Sequence, residues 1–165
     1  FVRDARINMT YEGTNTIQSL DLLGRKVLGD GGAKLKEFGA FIQTFSTQEM
    51  VNPEMHEFIT PLTYAAEKLN KITMEVGMKA MKDPDEVGAV AVDYLRLCGH
   101  LIYGYFWARM ASVALKKKDS NDPFYKAKII TARFYFAKIY PEISMLVRTI
   151  EAGSASLMEM EEDWF

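Results

Sequence analysis

From residue 85 to residue 117 the chain carries no proline, and between Val87 and Leu115 apolar side chains fall nearly all round the helical wheel. A helix without a polar face has to be surrounded by other elements. This stretch is therefore expected to be the central helix of a bundle, and the rest of the chain must cover it. It is not a membrane span: its longest uncharged apolar part, Leu97 to Ala108, is short for a bilayer and is bracketed by Arg96 and Arg109.

The covering elements also read as helices. Ile17, Leu20, Leu23 and Val27 recur at three- and four-residue steps, with Asp21 and Arg25 spaced to pair on another face. A second helix is expected over about 33 to 47, with Leu35, Phe38, Ile42 and Phe45 on one stripe. A third runs over about 54 to 81, carrying Met55, Ile59, Leu62, Ala66, Leu69, Ile72, Val76 and Met81. Pro61 should kink it or make it start afresh. A fifth spans about 124 to 151, kinked or divided at Pro141.

Breakers punctuate these periods. Gly29-Asp30-Gly31-Gly32 reads as a linker. Asn52-Pro53, Asp83-Pro84 and Asp122-Pro123 each read as a turn that opens a helix, with proline at its first position. Strand signals are absent. The expected fold is all-α: an up-and-down helix bundle of four to five helices.

A net charge of −2 argues against nucleic acid as a partner. Lys116-Lys117-Lys118 reads as a helix end, where cations complement the carbonyl pole. Cys98, the single cysteine, excludes an intrachain disulfide and fits a reducing compartment, so a cytoplasmic location is expected. Arg3, Asp4 and Arg6 give the start of the chain no secretory pattern. Because the chain opens on Phe1 and runs straight into a charged motif, it is expected to be a piece of a longer protein.

Most polar candidates have a structural reading. Cys98 and His100, two apart, cannot face one point from a regular helix, and buried packing fits them better than a metal. Gly99, Gly104 and Ala108 form a small-residue strip for close helix approach. The aromatics around it and on the fifth helix read as core. Asp93 and Arg96 are spaced to pair; with Arg109 and Arg133 they could instead form a polar seam. Residues 33 to 165 hold no evident nucleophile with a base. The tail, with Glu159, Glu161, Glu162 and Asp163 before Trp164-Phe165, reads as solvated and acidic, or as an aromatic terminus that docks onto a neighbour.

Tyr11-Glu12-Gly13-Thr14-Asn15 is different. Thr14 or Asn15 can cap the first helix, and Gln18 stands at the capping-box spacing from Asn15. The free amides then point back at Glu12 and Gly13, an end suited to an anion. Gly13 permits close backbone approach to a ligand. The two readings of the stretch are a capped turn with a solvated Glu12, or a base beside an anion site.

Arg3-Asp4-Ala5-Arg6-Ile7, then Tyr11-Glu12-Gly13-Thr14-Asn15, then Ile17-Gln18 resembles the C-terminal signature of the acyl-CoA dehydrogenases. Thr10 departs from it, since an aliphatic residue usually precedes the Tyr. The continuation Leu20 to Lys26 is similar to the subgroup with an extra C-terminal helical domain, which includes long-chain and methylmercaptopropionyl-CoA dehydrogenase-like members. Residues 33 to 153 resemble that domain, most clearly at Gly104-Tyr105-Phe106-Trp107-Ala108-Arg109 and Phe134-Tyr135-Phe136-Ala137.

The resemblance implies an FAD enzyme that converts acyl-CoA to trans-2-enoyl-CoA. Glu12 would remove the α-proton while the β-hydrogen leaves as hydride to the flavin. It implies that Gly13 contacts substrate, that Thr14, Asn15 and Thr16 contact FAD, that the enzyme is a homo-oligomer, and that an electron-transfer flavoprotein takes the electrons. It also implies a division into residues 1–29, the end of the catalytic helical domain; 33–153, the extra bundle, which covers or braces the core or its subunit contacts; and 154–165, the tail. The competing reading is a non-catalytic helical binding or interaction module.

Overall fold

The computed structural model describes residues 2–10 and 13–164, the side chain of Glu162 excepted. Short turns lead in: α1 (Val2–Ala5) and a 3-10 turn (Arg6–Met9) precede α2 (Asn15–Leu20). Then follow α3 (Ala33–Glu49), α4 (His56–Ala80), α5 (Asp85–Leu115), α6 (Pro123–Phe134), α7 (Glu142–Ala152) and the short α8 (Ala155–Met158). No strand occurs among the described residues. The all-α bundle is as expected, and no helix in it is long and apolar enough to cross a membrane.

Three helix starts share one local device. The side chains of Asn52, Asp83 and Asp122 each accept a hydrogen bond from the backbone N–H two residues on, at 3.0, 3.0 and 2.9 Å. The intervening proline has no N–H to satisfy, and its fixed φ suits the first turn. The 3-10 turn Pro53–Met55 leads directly into α4. That helix runs through Pro61 without starting afresh, forgoing the one backbone bond that Pro61 cannot donate.

α5 is the hub. It packs against α2, α4, α6 and α7, and its buried residues run from Val90 to Leu115. Lys116-Lys117-Lys118 lies just past its end and pairs outward: Lys116 meets Glu49 at 3.3 Å and Lys118 meets Glu54 at 2.8 Å. Gly104 is buried against Tyr140: a Cβ there would lie 2.8 Å from Tyr140 Cζ. Gly99, in contrast, faces open space and takes no part in the close approach, while Ala108 is fully buried.

Two segments depart from regular α geometry. After Leu20 the first helix widens into a π-helical stretch, Asp21–Val27, and closes with a 3-10 turn, Leu28–Asp30. The wider turns rotate the apolar stripe. Leu23 and Val27 are buried, but Ile17 is 65% exposed and the four residues do not share one face. The expected fifth helix is divided: α6 passes into a π stretch, Tyr135–Ile139, and α7 begins beyond Pro141. On α4 the apolar stripe is buried through Val76 except at the half-buried Ala66, whereas Met81, just past its end, is 88% exposed.

The Gly-rich break is a helix stop of the Schellman kind. Gly31 N–H donates to Leu28 O at 3.1 Å and Gly32 N–H to Val27 O at 2.8 Å. Both glycines have positive φ, +64° and +77°, which strains any other residue. Asp30 then caps α3, accepting from Ala33 N–H at 3.1 Å. Leu23 and Val27 join the same hydrophobic core as α4 to α7, so the two sides of this break are packed together.

Candidate functional site

The turn before α2 is built from Thr10, Gly13 and Thr14, while Tyr11 and Glu12 lie outside the described residues. Thr10 N–H closes the preceding turn on Ile7 O at 2.9 Å. Gly13 takes φ +68°, and an added Cβ would meet nothing within 4 Å. The backbone therefore turns left-handed at a position open to solvent.

The expected cap does not form. Thr14 occupies the N-cap position, but its side chain makes no capping bond. Its backbone is right-handed, at φ −97° and ψ −11°, whereas a capping side chain works from an extended residue. Asn15 lies inside the helix, and no Asn15–Gln18 capping box is present; Gln18 N–H instead donates to Thr14 O at 2.9 Å. Thr14, Asn15 and Thr16 are all exposed. What anchors the start is Ser19, fully buried, whose hydroxyl donates to Thr16 O at 2.7 Å.

Behind this turn, Asp21 accepts from Arg25 and pairs with Lys26 at 3.1 Å. The hydrogen bond from Arg25 is the main cause that lowers the Asp21 carboxyl to about 2, with Lys26 next. The pair lies on the outer side of the π stretch while Leu23 and Val27 hold the inner side to the core. The open turn is thus mounted on an element that the bundle fixes.

A second polar group was not legible in the sequence. His100 Nε2 lies 3.1 Å from Glu142 Oε2, and His100 Nδ1 lies 3.2 Å from the Tyr135 hydroxyl. Arg96 bonds the other Glu142 oxygen. The carboxylate accepts, so Nε2–H donates, and in the neutral ring Nδ1 accepts from Tyr135. Burial pushes the Tyr135 hydroxyl up to about 12. Arg96 and His100 stand one turn apart on α5, but Glu142 is 42 residues from His100, and no local pattern announces it. The expected Asp93–Arg96 pair is replaced by Arg96–Glu142. Arg133 instead meets Glu57 at the surface at 2.8 Å, and Arg109 lies over the Tyr105 ring, so no buried seam forms.

Deeper in the bundle, Thr73 Oγ1 donates to Leu69 O at 2.7 Å and lies 2.6 Å from the Tyr94 hydroxyl. One hydroxyl has one proton, so Tyr94 donates to Thr73. Burial raises Tyr94, and burial also pushes the Cys98 thiol up to about 12. Neither group is a ready acid or nucleophile. No cluster of three metal-ligating side chains occurs among the described residues.

Comparison with known proteins identifies the family. The family described as "Acetyl-CoA dehydrogenase C-terminal like" matches residues 35–161. The chain is 28% identical to a broad-specificity linear acyl-CoA dehydrogenase of Mycobacterium tuberculosis, over all of this chain and 29% of that protein. It is 33% identical to the 3-methylmercaptopropionyl-CoA dehydrogenase of Ruegeria pomeroyi, over 87% of this chain and 25% of that protein. It is 28% identical to a butyryl-CoA dehydrogenase of Syntrophomonas wolfei, over 99% of this chain and 28% of that protein. The chain thus spans less than a third of the length of these relatives. With an all-α bundle gathered on one apolar helix and a family match that takes in α4 through α7, the chain belongs to the acetyl-CoA dehydrogenase C-terminal-like family.

Proposed function

We propose that this chain is the C-terminal part of an FAD-dependent acyl-CoA dehydrogenase. In this reading residues 1–29 end the catalytic helical domain, 33–153 form the extra bundle, and 154–165 are the tail. The observation that carries it is the family match over residues 35–161, with relatives named as acyl-CoA dehydrogenases matching nearly the whole of this chain; the left-handed Gly13 and the uncapped start of α2 are compatible with it. Free amides at a helix start suit the phosphates of a dinucleotide, so the residues present fit FAD. The names of the three relatives supply the chemical class.

Thr14, Asn15 and Thr16 would hold FAD through those amides and their exposed hydroxyl and amide side chains. When bound, FAD supplies a hydride acceptor for the β-hydrogen of the acyl chain. Glu12 takes the α-proton of the thioester on its carboxylate. A carboxylate shielded from water by substrate and neighbouring protein is a stronger base toward so weak an acid. Gly13, without a side chain, leaves room for the thioester beside Glu12. The bundle braces the catalytic part or its subunit contacts, since Leu23 and Val27 tie the segment behind the turn into the bundle core. A homo-oligomer in the cytoplasm, passing electrons to an electron-transfer flavoprotein, completes the proposal.

The test is anaerobic flavin bleaching in the full-length protein with a panel of acyl-CoAs, repeated for Glu12→Gln. Bleaching in the wild type that the variant loses supports Glu12 as the base. Bleaching that survives moves the base elsewhere, and a protein without flavin returns the chain to a binding module.

A further inference from the structure

Two features of the surface are unpartnered among the described residues, and their chemistries complement each other. At the C-terminal half of α5, Phe106, Met110 and Val113 line a groove of about 320 Å³ closed on the far side by Phe124 of α6. Phe124 is 56% exposed and stands beside the exposed Phe106 and Val113, so the groove is a contiguous apolar patch. Two cations rim the groove: Arg109 over the Tyr105 ring at 5.6 Å, and Lys128 over the Phe124 ring at 5.2 Å. Neither pairs with a carboxylate among the described residues.

The tail presents the opposite surface. From α8 onward Leu157, Met158, Met160 and Trp164 point outward, with Leu157 63% and Trp164 68% exposed. Between them stand Glu159, Glu161 and Asp163, exposed and equally without cationic partners among the described residues.

As far as residue 164 the tail does not reach the groove of its own chain. Ser154, where the tail begins, bonds Asp83 and Glu86 at the start of α5, both at 3.0 Å. Phe106 lies some twenty residues further along that helix, roughly 30 Å away at the α-helical rise. With α8 kept, residues 155–164 span at most roughly 25 Å. A tail that seats in this groove therefore belongs to another copy.

We infer that the acidic, aromatic tail of one copy docks in the basic, aromatic groove of a second copy, with Trp164 against Phe106 and Phe124 and the tail carboxylates against Arg109 and Lys128. The apolar contact supplies affinity, and the charges set register and partner choice. The contact is between copies and is independent of the role proposed for Glu12.

Co-express two differently tagged full-length copies, one carrying Glu161→Cys and the other Val113→Cys, and oxidise. Cys98 is buried and stays out of the reaction. A disulfide between the two tags is expected. Its yield should fall roughly tenfold with Arg109→Glu and Lys128→Glu in the groove copy, and return when Glu159→Lys and Asp163→Lys are added to the tail copy. Three results overturn the inference: no mixed-tag product, a mixed-tag product insensitive to the charge reversals, or efficient closure within one chain when both cysteines sit in the same copy. Helicity by circular dichroism, unchanged in each variant, shows that these exposed substitutions leave the fold intact. Glu12 is read separately by flavin bleaching, so either hypothesis can fail alone.

Discussion

Gly104 of α5 lies under the ring of Tyr140, close enough that a Cβ would sit 2.8 Å from both Cζ and the hydroxyl oxygen. Tyr140 is itself buried and its ring is tilted against that of Phe136, centroids 4.8 Å apart, so it has little room to yield. An alanine in mid-helix is intrinsically favoured over glycine by about 1 kcal/mol. Overpacking a buried aromatic costs about 1–3 kcal/mol. Gly104→Ala is therefore expected to lower the urea midpoint. Gly99→Ala, with open space at its Cβ, should leave the midpoint unchanged or raise it. A rise in both variants would mean that Tyr140 moves aside freely.

The Tyr94–Thr73 hydrogen bond ties α5 to α4 inside the core. Thr73→Val keeps the shape but leaves the buried Tyr94 hydroxyl without its acceptor, a cost of about 1–3 kcal/mol. Tyr94→Phe in the same background should recover part of that loss. A double-mutant cycle by chemical denaturation measures the coupling, and a coupling near zero would show that the pair contributes nothing beyond its two side chains.

Asp21 titrates near 2 in the folded chain against 3.8 for the free side chain, chiefly because Arg25 bonds it. A lowered folded value means that the folded state binds the proton less readily than the unfolded chain. The stabilisation is then present above about pH 4 and fades as the pH falls toward 2. The stability gap between wild type and Asp21→Asn should be open at pH 7 and narrow below pH 4. Carboxyl NMR should show the Asp21 midpoint moving up in Arg25→Met. A midpoint unmoved by that change would remove Arg25 as the cause.

Cys98 is buried and its thiol is pushed up to about 12 by burial. At pH 8 almost none of it is thiolate, and reagent cannot reach it. Labelling by a disulfide reagent should be slow in the native protein and complete after unfolding. Fast native labelling would show that the segment around Leu97 and Leu101 opens readily.

Much of the fold was legible because it rests on near neighbours. Asn52-Pro53, Asp83-Pro84 and Asp122-Pro123 announce helix starts through a side chain that bonds two residues on and a proline that needs no partner. The apolar run from Val87 to Leu115 required a central position, which α5 has. The stripe of α3 and most of that of α4 follow from spacing alone. At the candidate site, Gly13 was legible as a place of open backbone, but the capping expected of Thr14 was not met, since its backbone is right-handed where a capping residue is extended.

What the local pattern could not carry was the meeting of distant residues. Gly104 with Tyr140, His100 with Glu142, and Thr73 with Tyr94 depend on how helices rotate about one another. The π stretches Asp21–Val27 and Tyr135–Ile139 turn side chains away from the face that a regular period assigns. The sequence by itself determined which segments are helices, where they start and which one is central, because those are matters of turns and three- or four-residue spacing. Only the tertiary structure decided which faces meet, because that is settled by packing summed over the whole core.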